Sequence, residues 1–280
     1  MTKTIHIAHS PDSDDAFMFY ALAEGKLDTG ELRYVHELAD IETLNRRAVA
    51  GELEVSAVSI HAYAHLADWY ALLGSGASMG DGYGPRLVAR TACPADPQTA
   101  LRGRRVAVPG KLTTAYLALR LFQPSFDAVV VPFDQIEGAV AAGGVDAGLL
   151  IHEGQLTYPD QGFELWADLG AWWLAQTGLP LPLGGNVVRR DLGERVMHQI
   201  ARDLRASIEY GLEHRVPALA HARQFSRGLS EERTDAFVGM YVNHWTVDYG
   251  PRGRAAVQRL LDDGHRAGVI PKPVHVDFVD

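Results

Sequence analysis

Short apolar, β-branched runs alternate with segments of helical periodicity through the first two thirds of the chain. "TIHIAHS" leads into a helix expected from about Asp14 to Glu24, "LRYVHEL" into one from about Ile41 to Ala50, and "EVSAVSI" into "HAYAHLA". After "YGPRLVAR" the rhythm resumes: "GRRVAVPG" precedes "TTAYLALRLF", "FDAVVVPF" precedes "DQIEGAVAAG", and "VDAGLLI" precedes "HEGQLTY". Such alternation indicates an α/β protein with largely parallel sheets. Beyond Leu192 the pattern turns helical. Val196, Ile200, Leu204, Ile208 and Leu212 recur every four positions and mark one apolar helix face. Further helices are expected around Ala218–Phe225, Thr234–Val247 and Arg254–Ala267, and Gly84-Pro85, Gly250-Pro251 and "LPLPLGGN" read as breaks. Two α/β halves and a helical tail predict two lobes with a cleft between them. In such sheets ligands sit beyond the carboxyl ends of the strands, where helix N-termini point.

Composition narrows the class of ligand. The chain has 280 residues, 47% of them hydrophobic and 22% charged, which is a globular composition with room for two domains. A net charge of -9 leaves no basic stripe for nucleic acid, so no nucleic-acid partner is expected; a local basic pocket for an acidic small molecule stays open. Cys93 is the only cysteine, which excludes an internal disulfide or a thiolate metal cluster and fits a reducing compartment. No stretch reaches the ~18–20 apolar residues of a spanning helix, and the first residues lack the pattern of a secretory leader. A cytoplasmic protein with no membrane contact is expected.

Candidate chemistry gathers at three strand-to-helix junctions. In "HSPDSDDAF" the acids Asp12, Asp14 and Asp15 lack the D-x-D-x-D-G spacing of a calcium loop. Asp12 or Ser13 can turn the chain after Pro11, and Asp14 or Asp15 can tie down the helix start. Ser10 and Asp12 are candidate walls of the cleft. In "VAVPGKLTTAYLAL" Thr113 and Thr114 open a helix, where hydroxyls and N–H groups form a seat for a carboxylate or phosphate, or serve only as caps. No Walker loop is present. In "VDAGLLIHEGQLTY" His152 follows an apolar strand directly, a place from which an imidazole can take or give a proton. His61 and His65, four apart, lack the H-E-x-x-H pattern, and no metal site is expected. Trp172-Trp173 suits packing better than a ligand wall.

Taken in order, "HSPDSDDAFMFYAL", "DIETLNRRA", "YGPRLVAR", "RVAVPGKLTTAYLAL", "GLLIHEGQLTYP", "DLGAWWLAQTGLPLPLGG" and "YVNHWTVDYG" resemble the 1,4-dihydroxy-6-naphthoate synthase family over nearly the whole chain. That family acts on cyclic dehypoxanthinyl futalosine in the futalosine route to menaquinone. The resemblance implies a type II periplasmic-binding-protein-like fold. Lobe one would span residues 1–88 plus 189–280 with the helical tail, and lobe two 89–188. It implies a cofactor-free carbon–carbon lyase acting on a small-molecule carboxylate. The family's catalytic base falls on His152, its ligand-binding threonines on Thr113 and Thr114, and its third-strand binding segment on Ala57, Val58 and Ser59. Family members often carry Cys-Pro-Asn-Asp where this chain has Asp12-Ser13-Asp14-Asp15, and some carry lysine at the place of Ala57. A lysine contact to the substrate carboxylate is therefore missing at that place, and Lys111 is a candidate substitute. Two rival readings are a solute-binding receptor on the same fold and the sister chorismate dehydratase of the pathway.

Overall fold

The computed structural model describes residues 2–280. The chain starts with strands β1 (Lys3–His9), β2 (Leu32–Leu38), β3 (Val55–Ser59), β4 (Tyr70–Leu73) and β5 (Ser78–Gly80). It then crosses to β6 (Arg86–Ala89), β7 (Arg105–Val108), β8 (Asp127–Val130), β9 (Ala147–Leu150) and β10 (Glu164–Asp168). Finally it returns through β11 (Leu181–Arg189) and ends on β12 (Phe278–Val279). These strands make two sheets. The first runs β12-β4-β11-β3-β1-β2, with β5 also on β11, and the second runs β10-β6-β9-β7-β8.

Within each lobe the parallel strands carry the helices that the hydrophobic pattern requires. β1 pairs in parallel with β2 and β3, and β7 with β8 and β9. β3 and β9 are buried at every position, as expected of central strands covered on both faces, whereas edge strand β2 is largely open. Two returning strands, β6 and β11, are antiparallel to their neighbours and mark the sheet changes. Those changes fall between Gly80 and Arg86 and between Asp168 and Leu181, against the expected divisions after residue 88 and before residue 189.

Some local expectations need correcting. The helix after β1 runs Ser13–Met18, pauses at Phe19 and resumes at Tyr20–Ala23. At the pause the Ser207 hydroxyl donates to the Met18 carbonyl at 2.9 Å, so a neighbouring helix fills the gap. "LPLPLGGN" is mostly strand rather than a break, because β5 and β3 supply its ladder partners, both meeting it at Gly184. Gly250-Pro251 opens the helix Gly250–Arg266, since proline's missing N–H costs nothing in a first turn. The expected helix Thr234–Val247 is two helices, Glu231–Tyr241 and His244–Val247, the second closed by a capping box from Asn243 and Thr246.

The tail builds onto lobe one. Helix Glu194–Glu213 buries Val196, Ile200, Leu204 and Ile208 in one core with Ile5, Ile7, Phe17 and Val55. Its Gly211 lies so close to Phe17 that a Cβ would sit 3.2 Å from the Phe17 carbonyl oxygen. The tail loop and helices that follow are thereby brought to the mouth of the cleft.

Candidate active site

The residues singled out in the sequence border one cavity between the lobes: Ser10, Asp12, Ala57, Val58, Ser59, Thr113, Thr114 and His152. They follow or end β1, β3, β7 and β9, so each junction delivers its polar group at the carboxyl end of a parallel strand.

The first junction does not cap its helix in the way the sequence suggests. Asp12 occupies the N-cap position of helix Ser13–Met18, yet its side chain caps nothing. Its Oδ2 lies 3.0 Å from His152 Nδ1 and accepts the Ser10 hydroxyl at 2.7 Å, while its Oδ1 lies 2.5 Å from Arg227 Nη2. Asp14 makes no cap either; it lines the cavity with a buried Oδ1 that has no partner. Asp15 does tie down the chain before the helix, accepting both the Ser10 N–H and the Ser10 hydroxyl at 2.8 Å.

His152 is one of two non-glycine residues with positive φ among the described residues, at 55°. The other is Arg227, at 49°. Left-handed backbone costs a residue with a Cβ roughly 1–2 kcal/mol, so contacts elsewhere must hold both in place. The contacts are mutual. Arg227 bridges Asp12 and Glu153 (Nη1–Oε2 3.1 Å), and its guanidinium stacks 4.5 Å over the Phe133 ring, whose edge meets the His152 imidazole at 4.8 Å.

The second junction is partly spent on structure. The Thr113 hydroxyl caps Tyr116 N–H at 3.2 Å and donates to the Gly110 carbonyl at 2.8 Å. The Thr114 hydroxyl accepts from His61 N–H at 3.1 Å and donates to the Leu183 carbonyl at 2.6 Å, stitching the second lobe to the first. The N–H groups of Thr114 and Ala115, in the first turn of helix Thr114–Phe122, have no partner within that helix and lie at the cavity wall. On β3, the Asn45 side chain holds both the Ser59 N–H and its hydroxyl. Lys111, the candidate substitute for a lysine at position 57, is exposed and does not border the cavity. Trp172 and Trp173 do not border it either; Trp173 is buried, with its indole N–H on the Pro180 carbonyl.

Burial and crowding set the charge of the cavity. Burial, then the neighbouring Asp15, Asp12 and Glu153, pushes the Asp14 carboxyl well above the ordinary carboxylate range. Asp15 is pushed up to about 6 by burial and then by Asp12, and Glu153 is raised for the same two reasons. An acid-rich wall thus carries less negative charge than its composition suggests. Among the described residues no three His, Cys, Asp or Glu side chains converge as a metal-binding set.

Asn186, Gln155, Phe237 and Tyr241 are among the cavity residues that escaped the sequence reading, and so did the arginine beside the cavity. Asn186 on β11, opposite Ala57, is buried with a partnerless Oδ1. Gln155 accepts the Tyr241 hydroxyl at 2.8 Å, and Phe237 lies one helical turn before Tyr241 on the tail. Arg227 sits in a polar tail loop with nothing local to distinguish it. Only Asn186 had a signal, an amide inside a run that proved to be a buried strand.

Two α/β lobes around a polar cleft define the periplasmic-binding-protein class of fold. The alkanesulfonate-binding protein SsuA of Xanthomonas axonopodis pv. citri shares it with a TM-score of 0.69 at 15% identity, covering 99% of this chain and 97% of that one. A crystal structure of an Archaeoglobus fulgidus protein matches with a TM-score of 0.89 and 48% identity over 95% of this chain and 98% of that one. A family model described as menaquinone biosynthesis matches residues 5–266. A 1,4-dihydroxy-6-naphthoate synthase of Thermus thermophilus is 42% identical over 277 residues, 98% of this chain and all of that protein. The chain belongs to the menaquinone biosynthesis family.

Proposed function

We propose that the protein converts cyclic dehypoxanthinyl futalosine to 1,4-dihydroxy-6-naphthoate, a carbon–carbon lyase step of menaquinone biosynthesis carried out in the cytoplasm. The observation that carries this reading is His152, held in left-handed backbone at the cavity wall with Nδ1 on a carboxylate. With Nδ1 facing the Asp12 carboxylate at 3.0 Å, Nε2 is the nitrogen left to accept a proton from the bound substrate. The electrons released break the bond to the sugar-derived portion and the remaining ring becomes aromatic. The proton taken up returns to the departing fragment, so the substrate's atoms divide between two products with no net oxidation or reduction.

Binding follows from the same wall. The first-turn N–H groups of Thr114 and Ala115 form a seat for the substrate carboxylate, helped by the partial positive charge of the helix N-terminus. The raised carboxyl of Asp14 and the pairing of Asp12 with Arg227 lessen the repulsion such an anion would meet. Ser59 and the partnerless Asn186 oxygen face the substrate's polar groups. Lobe closure aligns the reacting bond with the base and excludes water.

Cyclic dehypoxanthinyl futalosine and chorismate, offered side by side to the purified protein, test the proposal. The naphthoate chromophore is expected to grow only with the first. Binding of the first without conversion would make the protein a receptor, and turnover of chorismate would make it the dehydratase.

A further inference from the structure

The cluster at the cleft mouth contains more than a base and a binding wall. Asp12 belongs to the β1 junction of the first lobe, Arg227 to the tail packed on that lobe, and His152, Glu153 and Phe133 to the second lobe. One carboxylate is shared by an imidazole at 3.0 Å and a guanidinium at 2.5 Å, and its side chain is almost wholly buried, with 2% exposed. Burying a carboxylate so completely is costly unless it is paired and hydrogen-bonded; here the Ser10 hydroxyl supplies the hydrogen bond, and the imidazole and guanidinium lie against the carboxylate from outside its own helix. The two residues that reach it are the two non-glycine residues in left-handed backbone among the described residues, so the chain accepts strain twice to form this one contact set.

The geometry points to Asp12 as the positioning residue of the base: it fixes the Nδ1–H tautomer of His152 and is itself locked in place by Arg227 from the tail. The inference rests on His152 being the base. Free imidazole favours neither ring nitrogen strongly, and a carboxylate acceptor at Nδ1 decides which one keeps its proton. As Nε2 takes the substrate proton, the same carboxylate stabilises the imidazolium that forms. Because Asp12 and His152 come from different lobes, the pair exists only when the lobes are closed. The base is therefore oriented by closure itself, and Arg227, bridging Asp12 to Glu153, ties that orientation to the tail.

The test uses Asp12→Ala and the near-isosteric Asp12→Asn, with imidazole nitrogen-15 spectra of the labelled full-length protein and steady-state kinetics on cyclic dehypoxanthinyl futalosine. Wild type should show His152 as the Nδ1–H tautomer, and Asp12→Ala should lose that preference. Its kcat should fall roughly 10²-fold, with KM within about threefold, because the loss falls on proton transfer rather than on binding. Asp12→Asn, whose oxygen is held by the donor-only Arg227 guanidinium, turns its NH2 toward Nδ1 and should reverse the tautomer, with kcat falling at least as far as in Asp12→Ala. Thermal unfolding confirms that a variant is folded, and Asp12→Asn carries the test if Asp12→Ala is not. An unchanged tautomer in the folded variants, or unchanged kcat in variants of an active enzyme, would overturn the inference. A wild type that shows the tautomer but never turns over the substrate would sink the proposed function and leave the role of Asp12 standing.

Discussion

Asp14 shows how a carboxyl can line the cavity proposed to take an anion. Its Oδ1 is buried and unpaired, and burial with the neighbouring acids favours its neutral form. The consequence for stability has a definite sign. A carboxyl whose folded value lies above its unfolded value near 4 holds its proton longer in the folded chain, so stability falls as pH rises through that window. For Asp15 the window closes at about 6, and for Asp14 it extends well above the ordinary carboxylate range. Asparagine is the neutral isostere of a protonated aspartate. Asp14→Asn should therefore melt higher than wild type at pH 8 and equal it at pH 4. A calorimetric series across pH checks this, and a uniform offset at all pH values would contradict it.

At the scale of elements, much was legible because hydrophobic period and strand length agree. β1, β3, β7 and β9 read directly from "TIHIAHS", "EVSAVSI", "GRRVAVPG" and "VDAGLLI", and their helices followed. The residues that border the cavity at those junctions were legible for the same reason, since a polar group straight after a buried strand has only the cleft to face. What failed was set by tertiary contact. "LPLPLGGN" looks like a breaker until β3 and β5 flank it, and Arg227 gains meaning only when the tail folds back. The crossings between lobes depend on a close approach that the sequence hints at only through glycine. A Cβ on Gly170 would lie 1.8 Å from the Tyr83 carbonyl oxygen, a backbone atom that cannot yield without moving the other crossing segment. Gly170→Ala should cost about 3 kcal/mol or more, read from urea unfolding; a wild-type midpoint would contradict the account of the crossing.

At the scale of the whole molecule, a line of polar contacts runs from the first lobe and tail to the second. Arg227 meets Glu153, Arg233 meets Asp160 at 2.5 Å, the Tyr241 hydroxyl meets Gln155, and Thr114 spans His61 and Leu183. Exposed pairs such as Arg233–Asp160 are each worth only about 0–1 kcal/mol, but several acting across one hinge bias it toward closure. The Arg227→Gln/Arg233→Gln double variant should open the unliganded protein, seen as a larger radius of gyration in small-angle scattering. An unchanged radius would contradict closure by these contacts. Among the described residues no helix is long and apolar enough to cross a membrane.

The central claim is that His152 performs the chemistry in this cleft. The most direct measurement compares wild type and His152→Ala for binding and turnover of cyclic dehypoxanthinyl futalosine. The variant should bind the substrate within a few-fold of wild type while its turnover falls by roughly 10²–10⁴, the usual worth of a positioned general base. Turnover by His152→Ala at the wild-type rate would contradict the account.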